Sequence, residues 1–130
     1  MSAPTITVDE SRWPRVYVIW PAGAVSDAEF QRAVERLSSY IDRGEHYVII
    51  HDARRAARPS PKQRAFAADQ QKLTADSAAR WLLGAAVVVS NPLTAGVVRA
   101  INWLSPPTYP QRVFSSLDEA EAWADQQLSR

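Results

Sequence analysis

Apolar residues recur along the chain at two spacings, which predict strands and helices in alternation. Runs rich in β-branched and aromatic residues predict five strands, at residues 6–8, 15–20, 47–51, 82–89 and 112–114. Apolar residues at helical spacing predict a helix after each strand except the first, in the order β-β-α-β-α-β-α-β-α. The run at 47–51 is apolar on both faces, which is typical of a central strand covered on both sides.

Serine-led motifs mark three of the predicted helix starts. Ser26, Ser60 and Ser116 each precede a Glu or Gln by three residues, the spacing of a capping box. The helix after Ser60 is predicted to extend over residues 61–79, with Phe66 and Leu73 as its main apolar anchors.

Strands that alternate with helices form mainly parallel sheets with right-handed crossovers. The pattern therefore predicts one α/β domain over residues 1–130. Its sheet is a single-layer mixed, mainly parallel five-stranded sheet flanked by four helices, with the first strand antiparallel at an edge.

Composition fits one ordinary globular domain and removes several function classes. A chain of 130 residues with 46% hydrophobic and 22% charged residues has enough apolar material for a core. A net charge of +1 argues against a dedicated nucleic-acid binder. The absence of cysteine excludes disulfides, thiolate metal sites and a cysteine nucleophile. No apolar run reaches the ~20 residues that span a bilayer and no signal peptide is visible, so we expect a cytoplasmic protein without a transmembrane segment.

The connection after the third predicted strand concentrates positive charge beside a helix N-terminus. Its five cationic side chains are Arg54, Arg55, Arg58, Lys62 and Arg64. Unpaired N–H groups and the helix dipole favour anions there, so the segment predicts a site for a phosphate, a carboxylate or an acidic protein surface. The alternative is a solvated loop whose arginines pair with nearby acids. Ser60 is either a helix cap alone or a phosphorylation site as well.

Three segments, taken with the order of elements, resemble a known family. In residues 49–54 a strand ends in Asp52 before an Arg-rich loop, and in residues 87–92 a strand runs into a helix. Residues 113–123 hold a strand, a Ser cap and a helix that carries Ala and Trp. The chain thereby resembles the STAS domains, whose best-known members are bacterial anti-sigma-factor antagonists, and more specifically their SpoIIAA-like offshoot. The resemblance covers residues 47–128, and residues 1–46 by the order of elements.

The resemblance implies a bacterial, non-enzymatic regulatory module that binds a protein partner. In partner-switching members of the family, a kinase phosphorylates a Ser or Thr just after the Asp of the central strand. Asp52 matches that Asp, but Ala53 and Arg54 follow it, so the phosphorylatable residue is missing from its expected place. This departure favours binding of an acidic partner through fixed positive charges over a kinase switch.

His51 and Asp52 are the best candidates for acid–base chemistry. A general base is often an imidazole oriented by a carboxylate. Nothing marks a nucleophile near them and no third metal ligand is evident, so we predict no enzyme activity, no metal and no cofactor. The alternative is a structural His and an Asp that accepts hydrogen bonds from loop amides.

The third predicted helix, residues 92–104, is apolar on more than one face and leads into the Pro-rich connector 105–110. A helix with so wide an apolar surface is either deeply buried or covered by a partner. Val98, Trp103 and Tyr109 are therefore the candidate interface, for instance with a second copy in a homodimer. The alternative is a fully packed helix.

Two functions follow from these features, and a third is less supported. The first is a regulatory module that binds an acidic protein through the basic loop and the third helix. The alternative is a small-molecule or lipid-like anion binding module, with the headgroup at Arg54, Arg55 and Arg58 and the apolar tail on the third helix. An enzyme is the least supported. A deep apolar pocket beside Arg54 or Arg58 would favour the small-molecule module, and a flat surface would favour protein binding.

Overall fold

The computed structural model describes residues 3–130, with the side chains of residues 93, 94, 100, 103 and 104 outside the described part. The strands are β1 (Thr7–Arg12), β2 (Arg15–Ile19), β3 (Tyr47–Asp52), β4 (Leu82–Val88) and β5 (Gln111–Phe114). The helices are α1 (Asp27–Ser39), a short 3-10 helix (Tyr40–Arg43), α2 (Pro61–Leu73), α3 (Ala75–Trp81), α4 (Pro92–Leu104) and α5 (Leu117–Leu128). Among the described residues, every helix is too short or too polar to cross a lipid bilayer.

The five strands form one sheet in the order in which they occur along the chain. β1 is antiparallel to β2, while β2, β3, β4 and β5 are parallel to one another. The prediction of a mixed, mainly parallel sheet with an antiparallel edge strand is confirmed. The crossovers between the parallel strands contain α1, α2, α3 and α4, which cover one face of the sheet, and α5 covers the other.

The predicted helix over residues 61–79 is two helices, so five α-helices flank the sheet instead of four. The break lies at Thr74, whose hydroxyl donates a hydrogen bond to the Gln70 carbonyl at 2.8 Å. A side-chain bond of this kind competes with the helical hydrogen bonds. Leu73, predicted as an anchor of the longer helix, is instead 78% exposed at the end of α2.

The serine caps form, but one predicted partner binds elsewhere. Ser60 and Gln63 make a complete capping box at the start of α2. The Ser26 hydroxyl accepts from the Glu29 N–H at 3.1 Å, yet the Glu29 carboxylate accepts from the Ile6 N–H at 2.6 Å instead of from Ser26. Glu29 therefore ties α1 to the chain that enters β1.

Alternate residues of β3 face the two sides of the sheet. Val48 and Ile50 pack with α5, whose Ala120 and Ala124 are fully buried against them. Tyr47, Ile49 and His51 point to the opposite side, which α1, α2, α3 and α4 cover. On that side α4 packs mainly against α2 and not against the sheet, which leaves a space between the helices and the strands.

The helices on that second side are tied together by polar side chains. Gln63, which is buried, donates to the Val25 carbonyl at 3.0 Å and to the Asp27 carboxylate at 3.1 Å. Gln71 donates to the Ser105 carbonyl at 2.5 Å, and Thr108 donates to the Ala75 carbonyl at 2.5 Å. These bonds fix α2 and α3 to α1 and to the connector 105–110, so they hold the walls of the space apart from the sheet.

Candidate functional site

A cavity of about 380 Å³ lies between the sheet and the helices α1, α2 and α4. The side chains that line it are predominantly apolar, and its floor follows β3 through Tyr47, Ile49 and His51. Its roof includes Val97, Val98 and Ile101 of α4. Sites for small molecules in proteins have volumes of about 300–1,000 Å³ and mostly apolar walls. The cavity therefore has the size and character of a ligand site.

The mouth of the cavity lies at the carboxyl edge of the parallel strands. Among the described lining residues, only Arg58 and Asn91 are exposed to solvent. Arg58 follows β3 and Asn91 follows β4. Open α/β sheets bind ligands at this edge, so the opening lies where such ligands enter.

His51 lies at the same edge and is held as a neutral imidazole. The Trp20 indole N–H donates to His51 Nδ1 at 3.1 Å, and burial lowers the pKa of His51 to about 4. Because Nδ1 accepts, the single proton of the neutral ring belongs on Nε2. That N–H makes no hydrogen bond to another described residue, although His51 lines the cavity.

His51 and Asp52 do not form the base–carboxylate pair that was one of the two interpretations of these residues. Successive residues of a strand point to opposite faces, so the two side chains separate. The Asp52 carboxylate binds the Arg54 guanidinium at 2.9 and 2.8 Å, and this contact lowers the pKa of Asp52. His51 binds Trp20 instead, and the two residues form no base–carboxylate pair.

Three of the five loop cations are bound within the molecule. Arg54 pairs with Asp52, Lys62 lies 3.5 Å from the Asp27 carboxylate, and Arg64 donates to the Pro59 carbonyl at 2.8 Å. Arg55 and Arg58 make no hydrogen bond or ion pair with another described residue. Arg58 is also the only charged side chain among the described residues that line the cavity.

The positions considered for a phosphorylation switch have structural roles. Ala53, the position at which the resemblance led us to expect a hydroxyl, is buried and donates its N–H to the Val88 carbonyl at 2.9 Å. The Ser60 hydroxyl accepts from the Gln63 N–H at 3.1 Å, and the Ser60 N–H donates to Gln63 Oε1 at 3.3 Å. Phosphorylation of Ser60 stays a prediction.

Two of the three predicted interface residues line the cavity. Val98 and Tyr109 both line the cavity, because α4 and the connector after it turn these side chains toward the sheet. The side chain of Trp103 lies outside the described residues. A homodimer through the third predicted helix, which is α4, stays a prediction.

Two tyrosines, Tyr47 and Tyr109, lie at the end of the cavity opposite the mouth. The sequence did not predict that they share a site. Burial raises the pKa of Tyr109 to about 12. Burial also raises the pKa of Tyr47, and the neighbouring Tyr109 raises it further. Tyr47, Ile49 and His51 share a face by the period of a strand, so the sequence did hold a signal for Tyr47. The approach of Tyr109 to Tyr47 joins positions far apart in the chain and had no such signal.

Known structures indicate the fold family of this chain. No family model matches the chain, and neither does any curated protein. Among solved structures, the chain is similar to an uncharacterised protein of the DUF3478 family, with a SpoIIAA-like fold, from Shewanella loihica PV-4. The TM-score is 0.56 at 15% sequence identity, and the match covers 95% of this chain and 98% of that one. At this identity the likeness extends to the fold alone, and the chain therefore has a SpoIIAA-like fold.

Proposed function

We propose that this protein is a binding module for an elongated apolar small molecule that carries an anionic group at one end. The observation that carries the proposal is the cavity of about 380 Å³ whose mouth lies beside Arg58. An apolar pocket beside Arg58 favours a small-molecule module, whereas a flat surface there would favour a protein-binding module.

The walls of the cavity suit an alkyl chain of limited length. Tyr47 and His51 lie four residues apart on β3, so the floor between them spans about 13 Å at about 3.3 Å per residue. Carbon–carbon bonds of about 1.5 Å advance an extended chain by somewhat less than their length, so about ten carbons fill this span. Burial of such a chain contributes roughly 25 cal/mol for each Å² removed from water.

The mouth suits an anion. Arg58 is exposed, makes no ion pair with a described residue, and lines the cavity. His51 offers a neutral N–H at the same edge of the sheet. A carboxylate or phosphate that binds both groups would keep its charge at the solvent side while its tail enters the apolar space.

The ligand-binding proposal accounts for more of the site than the protein-binding hypothesis does. Binding of an acidic protein through the loop would draw on cations that Asp52 and Asp27 already neutralise in part. It would also leave the apolar cavity without a role. Binding to a regulatory protein partner stays a prediction, and a ligand in the cavity is compatible with such binding.

We propose binding without catalysis. His51 has no carboxylate to orient it, because Asp52 binds Arg54 on the other side of β3. The Ser38 hydroxyl, which lines the cavity, donates to the Val34 carbonyl at 3.0 Å and lies on α1, away from the His51 edge. The described residues therefore suit holding a molecule, and none of them is an activated nucleophile.

Calorimetric titration with decanoate and decanol tests the proposal. We expect decanoate to bind, and Arg58→Ala to weaken it about tenfold, as loss of a charge-assisted hydrogen bond does. Decanol binding should not respond to Arg58→Ala, because the alcohol carries no charge. Raised salt should weaken decanoate binding in the wild type.

Arg55→Ala is the matched control. Arg55 also lacks a partner among the described residues but does not line the cavity, so its loss should leave both affinities unchanged. Failure of both decanoate and decanol to bind the wild type would contradict the proposal. An equal loss of decanoate binding in the Arg55→Ala and Arg58→Ala variants would show a nonspecific charge effect and would remove the anion site.

A further inference from the structure

The closed end of the cavity is built differently from its mouth. It lies at the start of β3 and β4, where Tyr47 pairs with Leu82. The connector 105–110 closes over it, held by the bonds of Gln71 to Ser105 and of Thr108 to Ala75. Tyr109 on this connector packs against the same core cluster as Tyr47.

Two phenol hydroxyls at this end lack hydrogen-bond partners. Tyr47 is 1% exposed and lines the cavity, and Tyr109 lines it as well. Neither hydroxyl makes a hydrogen bond to another described residue. Both residues line the cavity, so their phenol O–H groups are available as donors to a molecule that occupies this end. Two donors at one end of a cavity suit a ligand oxygen that accepts hydrogen bonds from both.

We propose that the hydroxyls of Tyr47 and Tyr109 bind an uncharged oxygen, a hydroxyl or a carbonyl, at the end of the ligand opposite its anionic group. The inference rests on the proposed function and names the ligand class more closely: an alkanoate or alkyl phosphate of about ten carbons, from the ~13 Å floor of the cavity, with a terminal hydroxyl or oxo group. The contact orients the ligand, because only one of its ends matches each end of the cavity.

The charge distribution supports an uncharged group at this end. Arg58, at the mouth, is the only charged side chain among the described lining residues, so a second anion at the tyrosines would have no counterion. Burial raises the pKa of both phenols, so both remain protonated donors near neutral pH. Gln70, on the last turn of α2, adds an uncharged amide to the lining.

The test compares ω-hydroxydecanoate with decanoate by calorimetric titration of the full chain. We expect the wild type to bind the hydroxy acid about tenfold more tightly, because a site built to donate hydrogen bonds discriminates against a ligand without the group. Tyr47→Phe and Tyr109→Phe should each reduce this preference severalfold, and the double variant should abolish it. Decanoate should bind all variants as tightly as the wild type or more tightly.

Tyr40→Phe is the matched control. The Tyr40 hydroxyl is buried without a partner among the described residues, in the same aromatic cluster as Tyr47, but Tyr40 does not line the cavity. Its removal should leave the preference unchanged. If the double variant fails to fold, the two single variants test the assignment, because each should reduce the preference.

The possible failures are distinguishable. Binding of neither ligand overturns the proposed function and this inference together. Arg58-dependent binding of both ligands with equal affinity keeps the proposed function and overturns this inference. A preference that survives in the double variant also overturns it, because the discriminating group would then lie elsewhere.

Discussion

The two faces of the sheet are closed in different ways. On the face covered by α5, small residues allow close approach: Ala86, Ala120 and Ala124 are fully buried, and Gly84 lies directly under the Trp123 ring. On the opposite face, bulky side chains such as Trp20, which follows β2, and Phe30 of α1 pack against each other, and α4 packs on α2. The same strand, β3, therefore supplies a packed core on one side and the floor of a cavity on the other.

The difference also extends to what holds the helices. α5 is buried against β3, β4 and β5, and it also bonds β2 through Glu121 to Tyr17 and through Asp125 to Arg15. On the cavity side, polar bonds such as those of Glu29 and Gln63 join the ends of elements to one another. Apolar burial is non-directional and closes gaps, whereas a hydrogen bond fixes a distance. Walls fixed by polar bonds can therefore remain apart from the sheet.

The largest expected contrast comes from truncating one apolar residue on each face. Phe114→Ala should lower the free energy of unfolding by about 3–5 kcal/mol, because Phe114 is buried among α5 and β4 residues. Ile101→Ala should cost about 2 kcal/mol or less, because Ile101 faces the cavity and has fewer contacts to lose. Urea denaturation of both variants measures the difference. Equal losses would mean that the two faces are packed alike.

A smaller contrast comes from adding atoms to each face. A methyl group at Gly84 would lie 2.9 Å from the Trp123 ring and 3.0 Å from the Gln127 side chain, so Gly84→Ala should destabilise by about 1–3 kcal/mol. Ala78 lines the cavity, so Ala78→Leu should change the free energy of unfolding by about 1 kcal/mol or less.

The affinity for decanoate gives a second comparison of the variants Gly84→Ala and Ala78→Leu. Ala78→Leu should abolish decanoate binding because the added side chain occupies the cavity, while Gly84→Ala should leave the affinity near that of the wild type. Decanoate binding that persists at full affinity in Ala78→Leu would argue against the cavity as the site.

The smallest expected loss of stability comes from removing the charge of Glu29, which forms polar bonds on the cavity side. Hydrogen bonds from Arg32 lower the pKa of Glu29 to about 2 from its ordinary 4.5. Because the folded-state pKa is lowered, this stabilisation is present above the unfolded pKa and is lost as pH falls from about 5 to about 2. Glu29→Gln should therefore cost about 1–2 kcal/mol near neutral pH, an amount reduced by the exposure of Arg32.

Urea denaturation of the wild type and Glu29→Gln at several pH values tests this expectation. The stability difference should shrink steadily as pH falls below about 4. A difference that stays constant down to about pH 3 would show that the Glu29 charge does not hold α1 to the chain before β1. Arg36→Gln, on the exposed side of the same helix, is a control that should show little pH dependence.

Local signals were sufficient for most of the fold. The strands around residues 47–51 and 82–89 were evident from continuous apolar runs, and the capping box of Ser60 and Gln63 formed as its spacing predicts. The errors arose where a long-range partner competed with a local one. Glu29 binds the Ile6 N–H instead of its own cap, and the Thr74 break leaves Leu73 in solvent.

By itself, the sequence determined the element order, the mixed sheet and the concentration of positive charge after β3, because periodicity, turn chemistry and charge are encoded within short segments. Only the tertiary structure decided which charges remain free and where the cavity lies. Arg58 differs from Arg54 because Asp52 reaches one and not the other, and Tyr109 reaches Tyr47 through the fold. A cavity is the volume that packed elements fail to fill, so no segment of sequence specifies it alone.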